Sequence, residues 1–153
     1  KAGEPGELWV RSPFNAQDGW RQTGDIVRQD ADGYLYPQGR LSDTINRGGE
    51  KFGPSEIEDA LRLHPDVVDV AVAGIPDREM GERVGAAIVA RRPLTLEEVR
   101  EHCARHIARF KAPEKIALVT ELPRTAMWKV SRKTIAELVQ AAGQGPAAKA
   151  SEA

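Results

Sequence analysis

Three charged residues of this chain stand where a side chain can do chemistry. Asp25 closes the run Thr23, Gly24, Asp25, where a carboxylate at a glycine turn can accept two hydroxyls of a sugar; an exposed turn aspartate carries the same signature. Arg40 follows Gly39 at a change in sequence character, so it is either a fixed cation for a ligand or one half of a salt bridge across a domain seam. Lys129 lies in LPRTAMWKVSR (122–132), beside Trp128 and just ahead of a helix. A lysine there can neutralise phosphate or carboxylate charge that develops in a transition state, although a solvated loop lysine fits the same spacing.

Other chemistry is excluded by spacing. Gly48, Gly49, Glu50 and Lys51 have glycines and a lysine but neither the interval nor the hydroxyl of a phosphate-cradling P-loop. His102 and His106 stand four apart on a helix next to Cys103, in the manner of a metal face. No second cluster completes a tetrahedral set, and no metal site is expected. Cys103 falls on an apolar stripe and reads as a small core residue.

The elements that must hold these residues follow from patterning. Residues 1–39 read as short strands and turns with no helix: a strand over 7–11 ended by Ser12 and Pro13, a turn at Asp18–Trp20, and a hairpin through Asp30–Gly33 returning along Tyr34–Tyr36. Pro37 and Gly39 are expected to break that return strand. About forty residues make a poor core alone, so this part is expected to belong to a larger body.

From Arg40 the order changes to hairpin, helix, strand, strand, helix, strand, loop, helix, a compact α+β unit with a three-stranded sheet and three helices. Gly48 and Gly49 supply the positive φ of the hairpin turn. Ser55 and Glu58 have capping-box spacing at the start of the first helix, as Thr95 and Glu98 do at the second. Val68, Val70 and Val72 are expected to share one face of a strand over 67–75, and VGAAIVA (84–90) is a nearly all-apolar second strand. The second helix is expected over 95–110 with the stripe Leu96, Val99, Cys103, Ile107 and Phe110. A third strand over 115–121, a loop, and a helix from Ser131 to Gly143 follow, and the tail over 143–153 is expected to be disordered.

Among 153 residues, 22 Lys and Arg face 23 Asp and Glu, and no basic stripe appears, which argues against nucleic acid or an anionic membrane as the main partner. A single cysteine rules out an internal disulfide framework and fits a cytoplasmic, reducing setting. There is no apolar run of bilayer length. The start at Lys1, in the approach to a strand, suggests a piece of something longer.

Taken in order, TGD (23–25), DGYLYPQGRLSD (32–43), INRGGEK (45–51), PSEIE (54–58) and LPRTAMWK (122–129) resemble the adenylate-forming family of acyl- and aryl-CoA synthetases, nonribosomal adenylation domains and luciferases. The resemblance runs from Gly3 to Leu138. It implies activation of a carboxylic acid by ATP and Mg²⁺ through an acyl-adenylate, then transfer to the thiol of CoA or of a carrier's phosphopantetheine. Residues 1–39 would be the tail of a large N-terminal AMP-binding domain that is the missing partner, and residues 40–142 a mobile C-terminal lid.

By the same resemblance Asp25 would bind the ribose hydroxyls, with Arg40 and Lys51 as further nucleotide contacts. Lys129 would be the adenylation lysine, bridging the acid and the α-phosphate. Ser42 would be the hinge, where Asp or Lys is more usual, and Gly49 would line the pantetheine tunnel. Trp128 departs from the family pattern, which has Gly immediately before the lysine. Two rivals stand beside the acid–CoA ligase reading: an adenylation domain that loads a carrier protein, and a non-catalytic α+β binding module.

Overall fold

The computed structural model describes residues 3–13, 19–125 and 129–142. The expected turn at Asp18, the residue Trp128 and the expected disorder over 143–153 fall outside them, wholly or in part. The chain divides into two compact units, Lys1–Thr44 and Ile45–Ala153.

The first unit is a three-stranded antiparallel sheet in the order β1 (Pro5–Val10), β2 (Arg21–Gln29), β3 (Leu35–Arg40). The Asp30 hairpin forms as expected: its carboxylate accepts from the Asp32 and Tyr34 amides and from the Tyr36 hydroxyl. Two expectations are corrected. Thr23–Asp25 is not a turn but the interior of β2, where the register jumps so that Leu8 alone faces Thr23, Gly24 and Asp25. Pro37 and Gly39 do not break β3, which continues to Arg40. β3 is an edge strand, where a proline removes no ladder donor, and a bulge opposite Ile26 and Val27 absorbs Gln38. No described residue up to Thr44 is buried.

The second unit is built on β6 (Val67–Asp77) and β7 (Gly81–Ala90), paired along their whole length. β7 takes β8 (Lys115–Leu118) in parallel on its other side and meets the hairpin β4 (Ile45–Arg47), β5 (Glu50–Phe52) through Arg47 and Gly81. The expected hairpin and three-stranded sheet are therefore one five-stranded sheet. Helix α1 (Pro54–Arg62) and helix α2 (Leu96–Cys103) share one core with Val70, Val72, Val84, Ala86 and Ile88. Helix α3 (Arg132–Ala142) packs on the other face through Ile135 and Val139, against Ala71, Ala73, Ile75 and Ala87. Both faces are buried, which is why these strands read as continuous apolar runs. A Cβ on Gly85 would collide with Ile75 and Val139, so glycine there permits the close seat of α3.

Helix and strand ends correct the sequence reading. Val68 is 57% exposed, because a bulge between Val67 and Asp69 turns it out and leaves Val67, Val70 and Val72 inward. α2 stops at Cys103, and a separate 3₁₀ turn over Arg109–Lys111 leaves Phe110 40% exposed. Cys103 is fully buried, and burial pushes its thiol up to about 11. The Thr95 capping box forms with both reciprocal bonds, and with Arg92 it holds the Glu98 carboxyl down at about 2. The Ser55 box does not form. Gly53 is the N-cap, Pro54 occupies the first turn, and Glu58 is turned inward.

The two serine/threonine positions should therefore respond differently to truncation. Thr95→Ala should lower stability by about 1 kcal/mol, whereas Ser55→Ala should stay within about 0.5 kcal/mol of the parent; paired urea unfolding curves measure both.

Candidate functional site

Asp25 and Arg40 are brought together. They are register partners on β2 and β3, and Arg40 Nε lies 3.2 Å from Asp25 Oδ1, with the two side chains 62% and 39% exposed in that order. The bulge that carries Asp25 is pinned by Thr23, whose hydroxyl donates to the Leu8 carbonyl at 2.8 Å and accepts from the Asp25 amide at 3.1 Å. Gly24 makes it possible with φ +73°. An ion pair this exposed adds at most about 1 kcal/mol, so both groups remain available to an incoming ligand at small cost. Ser42 lies in the 3₁₀ turn Leu41–Asp43, its hydroxyl donating to Asp43 Oδ1 at 3.0 Å. This turn ends the first unit.

In the second unit the hairpin turn is Gly48 and Gly49, with φ +59° and +93°. A Cβ at Gly48 would meet Met80 Cε at 2.8 Å, whereas at Gly49 nothing lies within 4 Å. The demand for glycine at Gly49 within this chain is thus conformational, and the surface above it is open. Lys51 is exposed on β5, opposite Asn46.

Lys129 is exposed, at the foot of a short paired stem. Its carbonyl accepts from the Thr125 amide at 2.8 Å, its amide donates to the Thr125 hydroxyl at 3.3 Å, and Arg124 bridges Val130. The backbone of Lys129 is held on both sides while its ammonium reaches solvent. Asp69 anchors the other strand of the stem through Arg124 at 2.7 Å.

The charged residue to which the sequence reading gave the wrong role is Glu58, 6% exposed. Its carboxylate accepts the Val72 amide at 2.9 Å and the Arg132 guanidinium, and Arg132 also donates to the Val72 carbonyl at 3.0 Å. β6 is the edge strand, so these two side chains satisfy the outward backbone groups that Val72 would otherwise leave open. Glu58 lies next to Ile57 and one turn from Leu61, both fully buried, and that placement on the apolar face of α1 was the legible signal.

His102 Nε2 contacts the Ala60 carbonyl at 2.9 Å, and its ring packs 4.9 Å from His64 and 4.8 Å from His106. Burial and the neighbouring imidazoles hold it below the usual histidine range. The cluster joins α1 to α2.

Breaking the buried pair should be costly. Glu58→Ala removes the buried carboxylate that accepts from the Arg132 guanidinium and the Val72 amide, and should lower stability by about 3 kcal/mol. Glu58→Gln, which keeps an acceptor, should lose less; guanidinium unfolding of the two variants checks the order.

Residues 56–129 match the family of the AMP-binding enzyme C-terminal domain. The chain is 40% identical over 121 residues to oxalate–CoA ligase of Arabidopsis thaliana, covering 78% of this chain and 24% of that protein. It is 41% identical over 154 residues to pyochelin synthase PchD of Pseudomonas aeruginosa, covering 88% and 28%. Among solved structures, o-succinylbenzoate CoA synthetase of Bacillus subtilis in complex with its acyl-adenylate intermediate matches with a TM-score of 0.77 at 34% identity, over 87% of this chain and 30% of that one. ATP-bound MatB of Rhodopseudomonas palustris matches with a TM-score of 0.80 at 30% identity, over 90% and 31%. The chain spans between 24% and 31% of the length of these relatives.

Proposed function

Since the chain belongs to the AMP-binding enzyme C-terminal domain family, we propose that it is the C-terminal part of an AMP-forming carboxylic acid–CoA ligase. The observation that carries this reading is Lys129, exposed and backbone-pinned on its stem, in the same unit as an open Gly48–Gly49 hairpin. Residues 1–39 are the tail of the large nucleotide-binding domain, and residues 40–142 are the lid, with Ser42 at the hinge. The first unit supports a missing partner. It buries none of its described residues and exposes Trp9, Trp20, Tyr34, Tyr36 and Leu41, apolar surface that a larger body would cover.

In the adenylation half-reaction a carboxylate oxygen of the acid attacks the α-phosphorus of ATP, and pyrophosphate leaves. Asp25 accepts the ribose hydroxyls and Arg40 adds a second nucleotide contact, exchanging their mutual ion pair for the ligand. Lys51 approaches phosphate. Lys129 holds acid and α-phosphate together and offsets the negative charge that accumulates between them. In the second half-reaction a thiolate attacks the acyl carbon and AMP departs, the thiol reaching the adenylate past Gly49. Among the described residues no group of three His, Cys, Asp or Glu side chains could hold a metal; Mg²⁺ accompanies ATP in this family, and the described residues of this chain are given no role toward it.

The reading of the thiol as CoA has one rival with an observation behind it. Pyochelin synthase PchD and, at 37% identity, triostin synthetase I of Streptomyces triostinicus stand beside the CoA ligases among the relatives. Supplying the full-length enzyme with CoA and with a phosphopantetheinylated carrier separates the two acceptors.

In the full-length enzyme Lys129→Ala should depress acid-dependent ATP–pyrophosphate exchange by about a hundredfold or more, while thioester formation from supplied acyl-adenylate persists. Equal loss of both half-reactions would overturn the role given to Lys129. The 153-residue chain by itself should show no acid-dependent ATP–pyrophosphate exchange, and measurable exchange would overturn its reading as one part of a ligase.

A further inference from the structure

The Gly48–Gly49 hairpin is weakly held by its backbone. Its strands are three residues each, and it joins the sheet through the single pair Arg47 and Gly81. Ile45 and Phe52 are buried, but they face each other at the base, away from the turn. A two-stranded ribbon of this length is marginal without further contacts.

What holds the tip is a ring of charges. Arg47 Nε donates to Glu114 Oε1 at 2.6 Å, Glu114 Oε2 accepts from Arg83 Nη1 at 2.6 Å, and Arg83 Nε donates to Asp77 Oδ2 at 2.6 Å. Asp77 Oδ1 then accepts the Met80 amide at 3.0 Å, and the Met80 carbonyl accepts the Gly48 amide at 2.8 Å. The circuit leaves the hairpin at Arg47 and returns to it at Gly48, the next residue. Its four side chains are between 15% and 30% exposed. The geometry has the two carboxylates each clamped between donors. Guanidinium contacts hold Asp77 at about 2, and despite its burial the two arginines draw Glu114 below the usual range.

We propose that Arg47, Glu114, Arg83 and Asp77 are positioning residues that fix the aim of the Gly48–Gly49 turn, and that they set the productive binding of the thiol substrate while taking no part in adenylation. The inference rests on the reading of Gly49 as the residue the thiol passes. A ring that served stability alone would tie down the hairpin base. This ring instead bypasses the base and closes on the turn, and neither Lys129 nor its stem belongs to it. Charge-assisted bonds near 2.6 Å are short and directional, so they define an orientation rather than merely a contact.

Glu114→Gln tests it, in this chain and in the full-length ligase. In the chain, hydrogen exchange at the Gly48, Gly49 and Glu50 amides should accelerate about tenfold or more, with the amides of β6 and β7 unchanged. In the ligase, the KM for CoA in thioester formation from supplied acyl-adenylate should rise about tenfold, with ATP–pyrophosphate exchange at its parental rate. Unchanged hairpin exchange, an unchanged KM for CoA, or equal loss in both half-reactions would each overturn the inference. Arg47→Gln, which opens the ring but leaves Glu114 paired with Arg83, supplies the same readouts should Glu114→Gln unfold. Gly49→Val is the control on the underlying reading. If it leaves thioester formation intact, the tunnel role of Gly49 fails, whereas accelerated hairpin exchange in Glu114→Gln still reports that the ring holds the turn.

Discussion

A carboxylate taken out of water must be paired, and in the second unit this requirement falls on Glu58. Its oxygens reach a backbone amide of β6 and the guanidinium of Arg132 at the start of α3, so one side chain of α1 joins three elements. α1 belongs to the core on one face of the sheet and α3 to the core on the other. The two layers therefore meet at the open edge of β6, where Val72 presents its amide and carbonyl to the same ion pair. The pair closes the edge strand and fixes the entry of α3 at once.

Lys129 lies three residues before Arg132, so the loop that carries it is anchored behind by Glu58. In front, the Thr125 stem and the Arg124–Asp69 pair anchor it to β6. The Gly48–Gly49 hairpin is fastened through other residues, those of the Arg47 ring, at the β7 side of the sheet. Two candidate functional features thus share one sheet without sharing contacts.

Much of this was readable along the chain because local chemistry leaves local marks. The glycine pair predicted the hairpin, the Thr95–Glu98 spacing predicted the cap, and the order of helices and strands after Arg40 followed from periodicity. Where local marks misled, a competing local solution had won. The Ser55–Glu58 spacing met the capping-box pattern, yet Pro54 and Gly53 already started the helix, and Glu58 was drawn inward by Arg132 from 74 residues away. Thr23–Asp25 looked like a turn because glycine permits one, but a bulge within a strand uses the same freedom. Val68 was assigned inward by strict alternation, which one bulge reverses.

Sequence by itself determined which residue types could act: an aspartate after a glycine, a cation after Gly39, a lysine ahead of a helix, and an order of motifs that resembles one family. Those are properties of neighbours along the chain. Only the tertiary structure decided that Asp25 and Arg40 are partners across two strands, that Glu58 is a buried anchor and not a cap, and that Arg47, Glu114, Arg83 and Asp77 form one ring. Ion pairs between residues far apart in sequence leave no periodic signal. They arise when β-strand register and helix packing bring the charges within reach, and the cost of leaving a buried charge unpaired then selects the partner.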